Sequence, residues 1–228
     1  VSAQACRGLE FEGTEFTLCE VQAGADLRLF HSDAAGALLG SFSAVNAMLA
    51  TEGKALAFAM NAGMYHRDRA PVGLYTENGV VRTPVQTRAS DDNFGMLPNG
   101  VFCIGADGFS ITDSRDFAAA PQTCRFATQS GPMMVKQGAL HPRFSPGGDS
   151  RYIRNGVGVS ADGQRAVFVI SEDSVNFDTF GRLFRDALHL PDALYFDGKI
   201  SRLYAPDLGR SDLGLPMGPI VGLVVAKP

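Results

Sequence analysis

Arg154-Asn-Gly-Val-Gly-Val-Ser-Ala-Asp-Gly-Gln-Arg-Ala-Val-Phe-Val-Ile-Ser171 is the stretch that decides the fold class. Two runs of small and β-branched residues flank Asp162-Gly163, a pair suited to the positive backbone angles of a tight turn, so 154–160 and 165–171 read as an antiparallel hairpin. Glu172-Asp173 close its second strand. Asn176 then stands where a side-chain oxygen can cap a helix, and Phe177, Phe180, Leu183, Phe184, Ala187 and Leu188 recur at three- and four-residue intervals before Pro191 ends the pattern. One apolar stripe of that helix is expected to cover a sheet. Ala193-Leu-Tyr-Phe-Asp197 follows as a buried strand that stops at Asp197-Gly198, placing a carboxylate at a strand's exit.

The same alternation of short strands and turns extends in both directions. Residues 9–30 alternate apolar and polar and read as an opening hairpin of two strands, and Ser43 to Ala50 reads as a short helix with Ser43 as a cap candidate and Gly53 as its stop. Ala55 to Met60 reads as a strand ending in Asn61-Ala-Gly-Met-Tyr65. Hairpin signals recur at Asn78-Gly79 and Asp107-Gly108, and Phe126 to Leu140 reads as strand, bend and strand. Pro142 to Ser150, rich in Pro, Gly and Ser, is a long loop with an expected mobile tip, read either as a lid or as a plain surface connection. Gly218 to Ala226 closes the chain as an apolar strand, central in its sheet. The expected class is α+β, with a large, mostly antiparallel or mixed β-sheet core and two or more helices packed on it. Residues 1–228 are taken as a single domain, with an N-terminal hairpin and helix over 1–54 and the motif-bearing core over 55–228.

Composition narrows the function classes. Charged residues make up 19% of the 228 and the net charge is −4, with no local basic run, so neither nucleic acid nor an anionic membrane surface is an expected partner. No apolar stretch approaches the ~18 residues of a membrane span. Cys6, Cys19, Cys103 and Cys124 lack the C-x-x-C spacing of zinc and redox sites, and two local disulfides, Cys6 to Cys19 and Cys103 to Cys124, are preferred over four buried thiols. Ala3-Gln4-Ala5 fits the small-residue pattern of a signal-peptide cleavage site, which points to an exported protein, periplasmic or extracellular. A lipid-modified Cys6 is the lesser alternative.

The stereotyped catalytic motifs are absent: there is no G-x-S-x-G, no H-E-x-x-H, no Walker loop and no dinucleotide fingerprint. Ser90-Asp-Asp-Asn93 lacks the ordered spacing of a calcium loop and reads as solvated surface, so no metal ligands are assigned. Of four scattered histidines only His66 falls near a suspected site, and His189, at a helix end, reads as a dipole partner. What remains is a set of polar residues at strand ends beside glycines: Asn61, Ser130, Arg154, Glu172, Asp197 and Ser201. Paired carboxylates suit glycosidic hydrolysis and an arginine fork suits phosphate. The structural alternative is that Arg154 pairs with Glu172 or Asp197 to close the sheet end.

Taken in order, Asn61-Ala-Gly-Met-Tyr65, Asn93-Phe-Gly-Met96, Ser130-Gly-Pro132 with Gly138, Arg154-Asn-Gly-Val-Gly158 and Asp197-Gly-Lys-Ile-Ser201 resemble the motif series of the phosphodiester glycosidase family. The resemblance spans about residues 55–226 and extends to the family's bacterial exported members. It implies a hydrolase that cleaves the glycosidic C–O bond of a sugar-1-phosphodiester. With it, Asp197 and, from the strand-end set, Glu172 are the candidate catalytic carboxylates, as nucleophile or as base for water, with Asn61, Gly63, Ser130, Gly131, Arg154, Asn155, Gly198 and Ser201 expected to bind substrate and Arg154 to take the phosphate. The implied partner is a phosphorylated carbohydrate or cell-envelope glycan. No cofactor is expected, and a bound divalent cation is left open. The alternative function is a non-catalytic envelope module that grips a phosphorylated glycan. Two departures stand out: Lys199 occupies the place of the second glycine in the family's Asp-Gly-Gly-x-Ser, and Asn155-Gly156 replace its usual Thr-Ala. A side chain at 199 narrows the pocket or adds positive charge beside the phosphate.

Overall fold

The computed structural model describes residues 5–228, so most of the Ala3-Gln4-Ala5 reading lies outside the described residues. In chain order the elements are β1 (Cys6–Phe11), β2 (Thr14–Gln22), β3 (Leu27–Phe30), α1 (Phe42–Ala50), β4 (Lys54–Asn61), β5 (Tyr75–Glu77), β6 (Val80–Thr83), β7 (Gly100–Ile104) and β8 (Phe109–Asp113). They continue with α2 (Ser114–Ala119), β9 (Phe126–Ser130), β10 (Met133–Lys136), β11 (Ala139–Leu140), β12 (Asn155–Val159), β13 (Arg165–Ser171) and α3 (Phe177–Arg182). The last are β14 (Asp192–Asp197), β15 (Leu203–Ala205), β16 (Arg210–Ser211) and β17 (Ile220–Ala226).

The class is α+β, and the sheet is divided in three. A seven-stranded sheet runs β1-β2-β13-β12-β14-β10-β11, and two five-stranded sheets run β16-β15-β4-β17-β3 and β6-β5-β9-β7-β8. Their strand pairs are antiparallel, as in the hairpin of β12 and β13, where Val157 faces Phe168. The expected two-strand opening is corrected to three strands. β1 and β2 form the hairpin around Glu12 and Gly13, both with positive φ, while β3 leaves to pair with β17 in the second sheet. That departure is a long-range pairing, which local alternation does not report. The N-cap of α1 is Ser41, which accepts the Ala44 N–H at 3.1 Å, rather than Ser43. Asn176 caps α3 as expected, accepting the Thr179 N–H at 2.8 Å.

One apolar cluster joins all three sheets, because each buries one face against the others. Phe168 of β13 lies at its centre, with ring centroids 5.6 Å from Phe58 of β4 and 5.7 Å from Phe102 of β7, one partner from each of the other sheets. The stripe of α3 and the turn after it covers the opposite face of the first sheet through Phe180, Leu183 and Phe184. Both disulfides form as read: Cys6 to Cys19, direct partners across β1 and β2, and Cys103 to Cys124. The Cys6 sulfur is thereby bonded within the chain and leaves no thiol for a lipid.

Truncating the ring at the three-sheet junction is expected to loosen every sheet at once. Phe168→Ala should lower stability by about 3–5 kcal/mol, read as a shift in the urea midpoint that fluorescence and far-UV circular dichroism report together.

Candidate active site

The strand β14 ends at Asp197 because Gly198 follows and the backbone turns. The Asp197 Oδ1 accepts the backbone N–H groups of Gly198 at 2.7 Å and Lys199 at 2.9 Å, so the carboxylate is held by the turn it starts. A Cβ at Gly198 would lie 2.1 Å from the Tyr195 hydroxyl, so only glycine lets the turn lie across that phenol. Ser201 Oγ closes the turn, 2.9 Å from the Asp197 carbonyl and 3.2 Å from Asn155 Oδ1.

Behind the turn, Asn61 at the end of β4 and Asn155 at the start of β12 are fully buried. Asn61 Nδ2 donates to Asn155 Oδ1 and Asn155 Nδ2 donates to the Asn61 carbonyl, both at 2.9 Å. The same Asn61 amide donates to the Ile200 carbonyl at 2.5 Å, and its Oδ1 accepts the Arg202 N–H at 2.9 Å. Two buried amides thus find partners in each other and in the 197–202 turn, which is what their burial requires.

Arg154 is wholly buried. Its guanidinium lies 3.8 Å from the Phe177 ring centroid, between Tyr152 and Tyr195 at 5.2 and 5.3 Å. Nε donates to the Val175 carbonyl at 2.8 Å, Nη1 to the Tyr195 hydroxyl at 3.0 Å and Nη2 to the Ser150 carbonyl at 2.9 Å. The alternative pairing with Glu172 or Asp197 does not form: the partners of the guanidinium are the Val175 and Ser150 carbonyls and the Tyr195 hydroxyl. Aromatic faces and carbonyl oxygens take the place of a carboxylate around this cation. Burial pushes its pKa down, yet a guanidinium stays charged at any working pH.

Glu172 stands apart. It is exposed, its Oε1 accepts the Thr17 hydroxyl at 2.7 Å and pairs with Arg210, and it does not line the cleft described next. Ser130 is buried with Oγ 3.3 Å from the Phe196 carbonyl, and a Cβ at Gly131 would lie 2.6 Å from the Phe94 carbonyl, so this pair seats the loop that carries Phe94. Gly63 packs against Thr128. The sequence-derived set thus divides. Asp197 and Gly198 reach the cleft, Asn61, Asn155 and Ser201 brace them from behind, Arg154 lies beneath, and Ser130, Gly131 and Gly63 shape the surroundings.

The cleft measures about 560 Å³, the size of a sugar-bearing ligand. Tyr195 and Asp197 to Ile200 border one side, Met64 to His66 with Val72 another, and Asp92 to Phe94 with Ser150 and Tyr152 complete it. Burial pushes the Asp197 carboxyl above the ordinary aspartate range, against the downward pull of the N–H groups of Lys199, Gly198 and Ile200. Burial, and secondarily the Asp197 charge, raise the Tyr65 phenol, so it remains a neutral donor. The loop Pro142 to Ser150 is tethered over this region: Phe144 stacks on Phe177 at 4.9 Å, and Asn176 Nδ2 donates to the Gly148 carbonyl at 3.3 Å. Asp92 is engaged in its own loop, accepting from Ser90 Oγ and the Gly95 N–H. Among the described residues no group of three or more His, Cys, Asp or Glu is placed to hold a metal ion.

A model of the phosphodiester glycosidase family matches residues 54–210, which span every motif around this cleft. The chain belongs to the phosphodiester glycosidase family. Among curated proteins it is 35% identical over 178 residues to the uncharacterized protein YigE of Escherichia coli (strain K12), covering 78% of this chain and 69% of that one. Its fold is that of the zebrafish N-acetylglucosamine-1-phosphodiester alpha-N-acetylglucosaminidase catalytic domain auto-inhibited by pro-peptide. That likeness has a TM-score of 0.66 at 11% identity over 97% of this chain and 84% of that chain. A putative exported protein of Burkholderia pseudomallei matches with a TM-score of 0.53 at 13% identity, over 92% and 74%.

In this family member the cleft also holds Tyr195, Tyr152 and Asp92, which reading by motif passes over. Tyr195 looks like one more apolar strand residue. The signal that marks it is its place two residues before Asp197, near the strand end where a bulge in the pairing with β12 leaves both residues on the cleft. Removing one amide of the buried pair tests the bracing. Asn155→Ala removes the partner of the Asn61 carbonyl's side-chain bond and of one Asn61 amide hydrogen in a buried seam, leaving the bonds to Ile200 and Arg202, and should cost about 2–4 kcal/mol. Hydrogen exchange of the Lys199 to Arg202 amides should accelerate beyond the global change.

Proposed function

We propose that this protein hydrolyses a sugar-1-phosphodiester, breaking the bond between the anomeric carbon and the phosphate oxygen. The observation that carries the reading is Asp197, a carboxylate held by backbone N–H groups at the edge of a sugar-sized cleft, with its proton affinity raised by burial. The family supports the reaction class, and the zebrafish structure's name supplies the bond type for the substrate.

In the proposed step Asp197 takes a proton from water as the water oxygen bonds to the anomeric carbon. The C–O bond breaks, and its electron pair departs on the phosphate oxygen. A phosphate monoester leaves as an anion, so the acid that ordinary glycosides require matters less here. Lys199 and His66 line the cleft and offer donors toward the phosphate. Arg154 serves the phosphate through its field from beneath, since its own N–H groups are engaged by protein oxygens. Glu172 has no part in this step, because its carboxylate is committed to Arg210 and Thr17 outside the cleft.

Two disulfides favour an oxidising compartment, and among the described residues no helix is long and apolar enough to cross a membrane. With the exported structural relative, they support an envelope or extracellular phosphorylated glycan as substrate.

Asp197→Asn should lower kcat by about 10²–10⁴-fold while calorimetric affinity for a sugar phosphate stays within a fewfold, and Glu172→Gln should leave kcat nearly unchanged. A wild-type protein that binds sugar-1-phosphodiesters, wall-polymer fragments included, yet releases no free sugar from any would be a binding module. The pH profile carries an independent check. The reaction needs Asp197 ionised and its pKa is raised, so kcat/KM should fall on acidification with a midpoint above the ordinary aspartate value of about 3.9. The same shift makes the folded state bind this proton more tightly than the unfolded chain, so the group's contribution to stability is full at pH below the ordinary aspartate range. It is lost as pH rises through the raised value.

A further inference from the structure

Tyr195 and Asp197 both border the cleft at the end of β14, across a bulge in its pairing with β12, and the Tyr195 hydroxyl lies against Gly198, where a Cβ would come within 2.1 Å of it. The ring is buried, stacked edge-on against Phe177 at 4.7 Å, while the residue borders the cleft. The hydroxyl oxygen accepts a hydrogen bond from Arg154 Nη1 at 3.0 Å, and among the described residues that is its one hydrogen bond. A phenol carries a single hydrogen. Because the guanidinium can only donate, that hydrogen is turned away from Arg154 and has no protein acceptor. A buried O–H donor without an acceptor is costly unless a ligand or water completes it. The surroundings also keep it protonated, since burial and the Asp197 charge push the phenol's pKa up more than Arg154 pulls it down.

We propose that Tyr195 is a catalytic residue, the hydrogen-bond donor to the phosphate oxygen that departs from the anomeric carbon. The inference rests on the reading of the cleft as a phosphodiester-hydrolysing site and names a group that the motif series does not contain. No proton is transferred from the phenol: the electron pair of the broken C–O bond stays on the phosphate oxygen, and the O–H contact strengthens as that charge grows. Arg154, engaged behind the hydroxyl, polarises the O–H bond and raises its strength as a donor. The competing view is that Tyr195 is an aromatic core residue whose hydroxyl does no more than satisfy Arg154.

Tyr195→Phe keeps the ring and its packing and deletes only the donor. With thermal stability monitored alongside, kcat should fall about 10–100-fold with KM within a fewfold, as for the loss of one transition-state donor. The deficit should widen as the departing phosphate becomes more basic, larger for an alkyl phosphate leaving group than for a nitrophenyl phosphate one. An unchanged kcat, or a loss of the same size for every leaving group, overturns the proposal and leaves Tyr195 a packing residue. Should wild-type protein turn over no phosphodiester, the reaction reading fails and the donor is tested by itself with inorganic phosphate. Calorimetric affinity about tenfold weaker in Tyr195→Phe supports an anion donor, and equal affinity, or binding to neither protein, overturns it.

Discussion

The reciprocal amide pair of Asn61 and Asn155 sets the geometry on which the rest of the site depends. It lies where the second sheet meets the first, with both side chains inaccessible to water. A buried primary amide has two N–H donors and an acceptor oxygen to satisfy, and each one left unmade costs of the order of a whole hydrogen bond. That demand admits few arrangements. β4 and β12 must end opposite one another, and the 199–202 backbone must present the Ile200 carbonyl and the Arg202 N–H to Asn61. The turn carrying Asp197 is therefore held from behind by the seam between two sheets, and its rigidity comes from the fold.

Arg154 obeys the same rule by a different route. A buried cation without a carboxylate is expensive unless other groups replace its hydration. Here three aromatic faces and three oxygen acceptors do so, from segments far apart in sequence. Closing the loop before β12 over this side chain, through Ser150, Phe144 and Gly148, is part of that solvation. The charge is consequently fixed beneath the cleft and in low dielectric, where its field on an anion is far less screened than that of a surface lysine.

What the sequence disclosed and what it hid follow from the range of the interactions. The β12–β13 hairpin, the Asn176 cap, the exit at Asp197-Gly198 and the two disulfides rest on residues close in the chain, and each is legible from local letters. The division into three sheets rests on where β3, β15 and β17 find partners, which periodicity does not encode. Glu172 shows the same limit: next to the strand end that faces Arg154 across the hairpin, it turns instead to Thr17 and to Arg210, 38 residues later, contacts that no local pattern announces. Tyr195 was hidden by its type, since an aromatic in a buried strand is ordinary core until a charged donor and a glycine turn are found at its hydroxyl.

These features bear jointly on the proposed reaction through the way charge moves. A phosphodiester carries about one negative charge, and as its bond to the sugar breaks, the departing phosphate gains charge on the bridging oxygen. A cation fixed beneath the cleft, and a hydroxyl polarised by that cation, interact more strongly with the products of that shift than with the substrate. This is the differential binding that lowers a barrier rather than merely tightening a complex. Asp197 opposes the approach of any anion, and its raised proton affinity records the cost of its position. The buried guanidinium offsets that repulsion without forming an ion pair that would neutralise the carboxylate. The missing Arg154–Asp197 salt bridge is thus a functional feature on this reading: both charges stay available, one to water and the other to the phosphate.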